Sequence, residues 1–388
     1  MNEYFVDLHI HIGWTEKKRP VKISGSKNLT FFNILYEAFH HKGLDMIGII
    51  DAHSPEVQEE IQNYINQGAI TECEDGGLKY HDLTILLGSE IEIKEEGRKA
   101  AHFLVFLPYF KDMIQFTQWL KKHMRNVSLS SQRLYATVKE LQQLIKEKNG
   151  IFIPAHIFTP FKSVYGSCCN EMGEIIDLSL VDAVELGLSS DADMADRIKE
   201  LEQFVFVTNS DAHSLSKIGR EYNKIRMEAP TFFELKKALQ HKDGRRVVAN
   251  YGLDPKLGKY HKSRCLTCDE IIEEDDSKIC PKCSGNKITK GVDNRINEIA
   301  DFKDPIHPSH RSTYIHQIPL EFIPKLGPKT LSILLDYFGN EMNILHKVSE
   351  QELLQVVPST IAEKILLARK GELKVGHGGG GIYGKVIE

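Results

Sequence analysis

The sequence predicts an α/β fold for residues 1–255, followed by a small four-cysteine module at 256–292 and a separate all-α domain at 317–370. Residues 1–255 alternate short apolar runs with amphipathic stretches, which is typical of a parallel sheet whose strands are joined by helices. Seven such runs favour a barrel over an open sheet, although hydrophobic periodicity alone leaves closure open. The predicted strands are Phe5–Ile10, Met46–Ile50, Leu83–Leu87, Phe103–Leu107, Ile151–Ile153, Val181–Leu186 and Phe204–Val207.

Two helices between these strands can be placed from their ends. One is predicted over Asn28–His41 and is closed by Gly43. The other is predicted over Ser130–Lys148, with Ser130 as its N-cap and Gly150 after its end. No GxGxxG turn follows the first strand, which argues against a dinucleotide-binding fold.

The composition excludes several classes of protein. The chain has 388 residues, 41% of them hydrophobic and 27% charged, which excludes a disordered or collagen-like chain. No apolar run approaches the roughly 18 residues of a membrane span, and no basic segment precedes an apolar one at the N-terminus. We therefore expect neither a membrane protein nor a secreted one. Four of the seven cysteines form two CxxC pairs, which favours metal ligation in a reducing cytoplasm, and the net charge of −5 neither supports nor excludes DNA binding.

Histidines and carboxylates stand where a barrel places its active site. Asp7, His9 and His11 share one face of the first strand, because strand side chains repeat every two residues. Similar residues follow or begin the later runs: Asp51, His53, Glu90, His102, His156, Asp211 and His213. In α/β barrels the catalytic residues come from the ends of several strands, and imidazoles with carboxylates ligate transition metals. The sequence therefore predicts a metal site.

These residues lie in five ordered motifs that resemble those of the PHP (polymerase and histidinol phosphatase) superfamily. The motifs are DLHIH at 7–11, IIDAHSP at 49–55, GSEIE at 88–92, PAH at 154–156 and NSDAH at 209–213. The resemblance implies a distorted seven-stranded (βα) barrel with two or three divalent ions (Zn2+, Mn2+, Mg2+ or Fe2+) that hydrolyses phosphoesters. It implies these ligands: His9, His11, Glu90 and Asp211 for the first ion, Glu90, His102 and His156 for the second, and His53 and His213 for the third.

Two departures from the family pattern concern the third ion. Ala52 separates Asp51 from His53, where the family usually has Asp and His adjacent. The segment Gly13-Trp14-Thr15-Glu16 stands where a further His is common.

Four residues are expected to take part in the reaction: Glu90, Asp211, His213 and Asp51. Glu90 would bridge two metals about 3.5–4 Å apart, which is the arrangement that activates water and stabilises both oxygens of a displacement at phosphorus. A carboxylate would orient the water, and the sequence does not choose between Asp51 and Glu185 for this task.

Two CxxC pairs define the module at 256–292. Cys265, Cys268, Cys280 and Cys283 can complete a tetrahedral thiolate site, so we expect a structural Zn2+ in a zinc ribbon, with a redox dithiol as the alternative. Lys262 and Arg264 lead into the ribbon and could contact phosphate. The acidic segment Glu273–Asp276 would form its central loop, so only one side of the ribbon could face DNA.

Beyond the ribbon, residues 293–316 are predicted as an extended linker and 371–388 as a flexible Gly-rich tail. Between them, residues 318–335 resemble a helix-hairpin-helix element, in which a Gly turn exposes N–H groups to phosphate at a helix start. The residues expected to bind DNA there are Lys325, Gly327, Lys329 and Thr330. Leu353–Ala368 resembles a second copy. An ordinary helical hairpin is the alternative.

A near-match to a phosphate-binding loop at Gly379–Val386 lacks the Ser or Thr metal ligand and a following helix, so we expect no nucleotide cofactor. The order of a PHP-type region, a four-cysteine ribbon and helix-hairpin-helix elements resembles the endonuclease Q family over essentially the whole chain. The resemblance implies a cytoplasmic enzyme that nicks double- or single-stranded DNA 5′ to deaminated bases and abasic sites. Two alternatives stay open, a phosphomonoesterase acting on a small metabolite and a non-catalytic DNA-binding protein with a vestigial barrel.

Overall fold

A computed structural model describes residues 1–272 and 279–386. The predicted acidic loop Glu273–Asp276 and the last two residues of the predicted tail lie outside the described residues. The rest of the chain comprises a mixed α/β region, a small three-stranded sheet and a helical C-terminal region. The predicted α/β class and the helical character of residues 317–370 are confirmed.

Each of the seven predicted apolar runs contains a strand. The strands in the described residues are β1 (Asn2–Ile10), β2 (Met46–Ile49), β3 (Thr71–Glu72), β4 (Leu78–Tyr80), β5 (Leu83–Ile93), β6 (Ala101–Leu107), β7 (Arg133–Leu134), β8 (Ile151–Pro154), β9 (Val184–Glu185), β10 (Phe206–Val207), β11 (Tyr222–Met227), β12 (Arg246–Gly252), β13 (Ser263–Cys265), β14 (Ile271–Ile272), β15 (Ile288–Thr289) and β16 (Thr313–His316).

The main sheet is mixed. Strands β1 and β2, and β2 and β5, pair in parallel, whereas β6 runs antiparallel to both β5 and β8. The expectation of a parallel sheet is therefore wrong. The connection between β5 and β6 spans only residues 94–100, and a parallel crossover needs about a dozen residues or more. Strands β9 and β10 form a separate pair, so within the described residues a closed seven-stranded barrel is not confirmed.

One apolar core joins the strands that bear the predicted site residues. Val6 and Leu8 of β1 pack there with Leu104 of β6, Ile153 of β8 and Val207 of β10. The alternation of apolar and polar positions along β1 therefore fixes which side chains enter the core.

The described residues also form α-helices. They are α1 (Phe31–Tyr36), α2 (Pro55–Asn66), α3 (Phe110–His123), α4 (Val138–Glu147), α5 (Ala192–Ala195), α6 (Phe232–Leu239), α7 (Val292–Ile299), α8 (Pro328–Phe338), α9 (Glu341–His346), α10 (Glu350–Val356) and α11 (Ser359–Lys370). Shorter turns are π-helical at Glu37–Lys42 and Val164–Cys168, and 3-10 at Met172–Glu174, Leu178–Leu180, Lys199–Gln203, Leu215–Lys217, Lys242–Gly244, Pro255–Leu257 and Leu320–Phe322.

Both predicted helix boundaries need correction. The first helix changes from α1 to the π-helical turn Glu37–Lys42 before it ends at Gly43, whose φ is 75°. The second helix does not begin at Ser130. It begins after Thr137, whose hydroxyl accepts from the Glu140 backbone N–H in a capping box that satisfies the first turn of α4. Ser130 therefore does not cap α4.

Helices α8–α11 form the helical region, which rests on the α/β region. The Lys42 ammonium, almost fully buried, lies 2.7 Å from the Glu341 carboxylate of α9. The His346 ring, also on α9, stacks on Phe5 of β1 with 4.5 Å between ring centroids.

Two segments predicted to lack structure are ordered by polar contacts. Residues 293–316 contain α7 and β16, and β16 pairs with β12, so the extended linker is wrong. Residues 376–386 lie against the segment 256–264, with hydrogen bonds from Gly378 N to Lys256 O (2.6 Å) and from Gly381 N to Lys259 O (2.8 Å). Backbone pairing, which glycines permit at close range, holds the predicted flexible tail in place as far as residue 386. Across the described residues, no helix is both long and apolar enough to span a bilayer.

Candidate metal centre

Glu90 of β5 is the centre of a cluster of imidazoles. Its Oε1 lies 2.8 Å from His102 Nδ1 and 3.2 Å from His156 Nε2. The His9 Nε2 lies 3.7 Å from the same oxygen, and the His11 Nε2 lies 3.6 Å from Oε2. Both carboxylate oxygens of Glu90 therefore face imidazole nitrogens.

The direction of β6 explains why His102 joins this cluster although it begins its strand. Because β6 is antiparallel to β5, its start lies at the same edge as the end of β5, and His102 is paired with Glu92. The next strand, β8, reverses direction again, so His156 follows its end at that edge. A mixed sheet thus brings together residues that a parallel barrel would have separated.

Asp211 completes the cluster from the loop after β10. Its Oδ1 lies 3.5 Å from His9 Nε2, 3.6 Å from His11 Nε2 and 3.4 Å from His213 Nε2. Asp211 and His156 both have positive φ, 44° and 30°, which non-glycine residues adopt at a cost. Such strain concentrates where a structure holds functional side chains in place. We call His9, His11, Glu90, His102, His156, Asp211 and His213 the histidine–carboxylate cluster.

The donor set fits metal ions. The Nε2 atoms of His9, His11 and His213 are buried and have no hydrogen-bond partner among the described residues. Distances of 3.4–3.7 Å to the carboxylates are too long for hydrogen bonds. They match the separation of about 3.4 Å expected between two ligands bound tetrahedrally to one ion at about 2.1 Å. Three triads offer converging donor atoms: His9–His11–Glu90, Glu90–His102–His156 and His11–Asp211–His213.

Two further carboxylates orient the imidazoles. His11 Nδ1 donates to Asp51 Oδ2 at 3.0 Å, and His9 Nδ1 donates to Glu185 Oε1 at 2.9 Å. A carboxylate only accepts, so each contact fixes the proton on Nδ1 and leaves the Nε2 lone pair for a metal. The two candidates for orienting the water therefore both contact a metal-facing imidazole.

The electrostatics of the cluster favour cations. Burial alone would lower the pKa of His9, but nearby carboxylates, chiefly Glu185, raise it to about 10. Burial alone would raise the pKa of Glu90, but His102 and Lys22 hold it well below its usual range. The carboxylates are thus ionised, and without a metal a protonated imidazole supplies the compensating charge.

Sequence reasoning missed Lys22 and Ser131, which both contact Glu90. The Lys22 Nζ lies 3.1 Å from Glu90 Oε2 and 2.6 Å from Ser131 Oγ, and Ser131 donates to the same carboxylate oxygen. Both lie on loops without periodic pattern, so no sequence signal marks them. In contrast, His53 joins none of the triads. Its Nε2 faces the Leu129 carbonyl at 3.4 Å.

A cavity of about 310 Å3 opens onto the histidine–carboxylate cluster. Lysines line it on several sides: Lys22, Lys162 and Lys259. Two aromatic rings, Phe161 and Tyr260, meet edge to face at 5.9 Å in the lining. The cavity thus combines metal ligands, positive charge and stacking surface, which suits a phosphate joined to an aromatic base.

Comparison with known proteins identifies the family. No family model matches the chain. The chain is 48% identical over all 388 residues to the uncharacterized protein YqxK of Bacillus subtilis (strain 168), which it covers completely. The crystal structure of the lesion-specific endonuclease PfuEndoQ from Pyrococcus furiosus is 31% identical, with a TM-score of 0.86 over 99% of this chain and 95% of that chain. The structure of an endonuclease Q complex with a 27-mer duplex substrate with an abasic lesion at the active site is 30% identical, with a TM-score of 0.85 over 99% and 96%.

The chain belongs to the endonuclease Q family. It is accordingly an enzyme, a metal-dependent endonuclease of the hydrolase class, and this prediction from the sequence is confirmed. The likeness extends beyond the α/β region, since nearly the whole chain is covered in both comparisons.

The chain has a second candidate metal site at the four cysteines, which we call the cysteine cluster. The Sγ atoms of Cys265 and Cys283 are 3.6 Å apart, as are those of Cys268 and Cys280. A disulfide would bring them to about 2.05 Å, whereas four thiolates around one Zn2+ at about 2.3 Å lie about 3.8 Å apart. The geometry therefore favours a metal over a redox pair.

The residues predicted to bind DNA near α8 differ in their exposure to solvent. Lys325, Gly327 and Lys329 are exposed at the start of α8, and Thr330 is half-buried. The element before them is only the 3-10 turn Leu320–Phe322, so the first helix of the predicted hairpin is wrong. A proline stands at each end of this stretch, Pro319 before it and Pro324 after it. Because proline interrupts helical hydrogen bonding, a longer helix is not formed there.

The lysine and arginine before the ribbon are engaged within the chain. The Lys262 Nζ lies 2.9 Å from Asp293 Oδ2, and Arg264 Nη1 donates to Gly379 O at 3.0 Å. Nearby, Arg220 Nη1 donates to the Tyr383 hydroxyl at 2.8 Å, and Arg220 Nε donates to Ser210 O at 2.8 Å. The C-terminal segment thereby supports the loop that presents Asp211.

Proposed function

We propose that this endonuclease Q is a DNA-repair enzyme that hydrolyses the phosphodiester 5′ to a deaminated base (uracil, hypoxanthine or xanthine) or an abasic site and leaves 3′-hydroxyl and 5′-phosphate ends. The supporting observation is the histidine–carboxylate cluster at the base of a cavity, in a chain similar throughout to an endonuclease whose complex holds an abasic duplex. We extend the proposal to single-stranded DNA, since the cavity admits one nucleotide rather than a helix.

Two divalent ions (Zn2+, Mn2+, Mg2+ or Fe2+) would be held by this cluster. The proposed ligands are His9, His11, Glu90 and Asp211 for one ion, and Glu90, His102 and His156 for the other. When bound, such a pair supplies activation of water near neutral pH and charge stabilisation at phosphorus.

The remaining side chains position the ligands and the water. Asp51 and Glu185 hold His11 and His9 by their Nδ1 protons, so the imidazoles keep their orientation when DNA binds. Asp211 and His213 are the partly exposed members, at 34% and 37%, and they would hold the attacking water by hydrogen bonds on the cavity side. Glu90 would belong to the ligand sets of both ions and so join them.

Lesion choice would come from the cavity, because phosphate contacts have no sequence information. A nucleotide extruded from the duplex would place its base against the aromatic pair Phe161 and Tyr260, which lines the cavity. Extrusion is least costly for a mispaired or missing base, so a U·G pair should be cut faster than a U·A pair.

The other modules would hold the DNA backbone. The cysteine cluster would bind one structural Zn2+ within residues 256–292, and the helical domain at 317–370 would bind phosphates at the start of α8. We retain residues 1–255 as the catalytic domain. Free thiolates and a DNA substrate favour a cytoplasmic location.

The test is cleavage of end-labelled duplexes that carry uracil, hypoxanthine or an abasic site, with and without added divalent ions. Nicking 5′ to the lesion, with an extendable 3′-hydroxyl and the damaged base still on the downstream fragment, is expected. Asp211→Ala and His9→Ala should abolish nicking while the circular dichroism spectrum is unchanged. Equal cutting of undamaged duplex, release of free base, or hydrolysis of a small phosphomonoester in preference to DNA would contradict the proposal.

A further inference from the structure

Lys22 is a buried cation at the histidine–carboxylate cluster. Its side chain is 15% exposed, and its Nζ contacts the Glu90 carboxylate and the Ser131 hydroxyl at 3.1 and 2.6 Å. The same side chain lines the cavity where the substrate would bind. A lysine is an ammonium at neutral pH, so the chain itself places one positive charge beside the proposed bridging ligand.

The loop that bears Lys22 is held by its own backbone. The Val21 N–H donates to Gly13 O at 2.8 Å, and the Lys22 N–H donates to Ile12 O at 3.0 Å. A Cβ on Gly13 would lie 2.1 Å from the Ser26 carbonyl oxygen, so the two arms of the loop touch where only glycine fits. The ammonium is therefore placed by a preformed loop, which is the segment where the PHP pattern would have supplied a further histidine.

A third ion lacks ligands of its own. His53 faces the Leu129 carbonyl and joins no triad. The triad His11–Asp211–His213 shares two members with the ligands of the first ion, which leaves His213 as its single separate donor. The trinuclear expectation therefore does not fit the described residues.

The charge balance of the site also argues against a third metal ion. Five carboxylates contact its imidazoles: Asp51, Glu90, Glu92, Glu185 and Asp211. One of them, Glu92, also pairs with the Lys162 ammonium at 2.8 Å. Two divalent ions and the ammonium groups of Lys22 and Lys162 exceed these five negative charges by one, and one phosphodiester neutralises that excess. A third divalent ion would leave two uncompensated positive charges in a largely buried site, which is costly.

We propose that the Lys22 ammonium takes the place of a third metal ion and contacts a non-bridging oxygen of the scissile phosphate. The inference rests on the proposed phosphodiester hydrolysis. Lys22 is then a catalytic residue whose charge is supplied by the chain rather than by a metal. It stabilises charge that grows on phosphate oxygens during the displacement.

The test counts metal ions and measures cleavage in the full-length protein. We expect native mass spectrometry of the metal-loaded wild type to give three ions per chain, two in the histidine–carboxylate cluster and one in the cysteine cluster. Cys280→Ser should give two, which assigns the third ion. Lys22→Met removes the charge but keeps most of the side-chain volume, and it should lower kcat on lesion DNA by at least about 100-fold with KM changed less than about twofold. Lys22→Arg should restore part of kcat.

The number of metal ions bound by Lys22→Met distinguishes a phosphate-binding Lys22 from one that only supports the structure of the site. Lys22→Met should still hold three ions, because the ligands of both ions in the histidine–carboxylate cluster are intact and a further ion has no ligands of its own, whereas substitution of a merely structural lysine would cause a loss of ions. The matched control is Lys27→Met, an exposed lysine of the same loop that lies over Trp14, and it should behave as the wild type. Four ions in the wild type, fewer ions in Lys22→Met, or full cleavage by Lys22→Met would overturn the inference. Absence of nicking by the wild type would instead contradict the proposed function, and the ion count would still decide the role of Lys22.

Discussion

Acid should weaken the attachment of the helical region through a single histidine, His346 of α9. Its ring stacks on Phe5, meets Tyr251 edge to face at 4.8 Å, and has Nε2 2.6 Å from the Tyr222 hydroxyl. Burial, with help from Lys224, lowers the pKa of His346 to about 3, against 6.5 in an unfolded chain. The folded state therefore keeps the ring neutral where the unfolded state takes up a proton.

The sign and size of the effect follow from these two pKa values. The stability that the neutral ring contributes is fully present above pH 6.5 and is lost as the pH falls from 6.5 toward 3, because the unfolded chain then binds one more proton. Each pH unit in that window costs about 1.4 kcal/mol, so lowering the pH from 7.5 to 5.0 should remove about 2 kcal/mol.

Urea unfolding of the wild type and His346→Phe at pH 7.5 and 5.0 measures this contribution. Phe keeps a flat ring on Phe5 but cannot be protonated, so the variant should lose about 2 kcal/mol less than the wild type between the two pH values. Other titrating groups are common to both proteins and cancel in the comparison. Exposed His81→Phe is the control and should follow the wild type. Equal losses in His346→Phe and the wild type, within about 0.5 kcal/mol, would refute the reasoning.

Three further outcomes are expected. Glu341→Ala leaves the Lys42 ammonium buried without its partner and should cost about 3–5 kcal/mol of unfolding free energy in urea, whereas Glu341→Leu with Lys42→Met should cost far less. Cys280→Ser should release one zinc per chain and weaken DNA binding, measured by fluorescence anisotropy, more than hydrolysis of a small phosphodiester. Tyr383→Phe removes the acceptor of the Arg220 guanidinium and should cost about 1–2 kcal/mol of stability, with weaker metal binding measured by competition with a chelator.

Each of these outcomes has a control. Equal losses in the single and the double variant at the Lys42–Glu341 pair would show that the ion pair is not what attaches α9. Unchanged zinc in Cys280→Ser would exclude a thiolate site. For the third, Tyr337→Phe on the exposed side of α8 should leave both stability and metal affinity as in the wild type, and a similar effect from both tyrosines would contradict the proposed support by Arg220.

The sequence predicts the strands and most members of the metal centre because both depend on local pattern. Strand periodicity places His9 and His11 on one face, and residues at strand ends meet at one edge of a sheet. Strand direction is decided by pairing between distant segments, which the sequence does not show. His102 stands at the start of its strand, and it reaches the metal centre because β6 runs antiparallel to β5.

Residues on irregular loops escape such reasoning. Lys22 and Ser131 reach Glu90 from loops that have no period, and only long-range packing brings them there. The Gly-rich C-terminal segment was expected to be flexible from composition, yet its glycines permit the close backbone pairing with residues 256–264 that orders it. Composition reports what a segment permits rather than what it contacts.

The hydrogen bond between Arg220 and Tyr383 makes the support of the Asp211 loop depend on a residue far along the chain. Tyr383 follows Arg220 by 163 positions, and N-terminal domains fold first during synthesis. A ribosome-bound chain that has not yet extended to Tyr383 has all of its metal ligands but lacks the contact that supports the Asp211 loop through Arg220. A chain shortened before Tyr383 should therefore cut DNA more weakly than one that includes it.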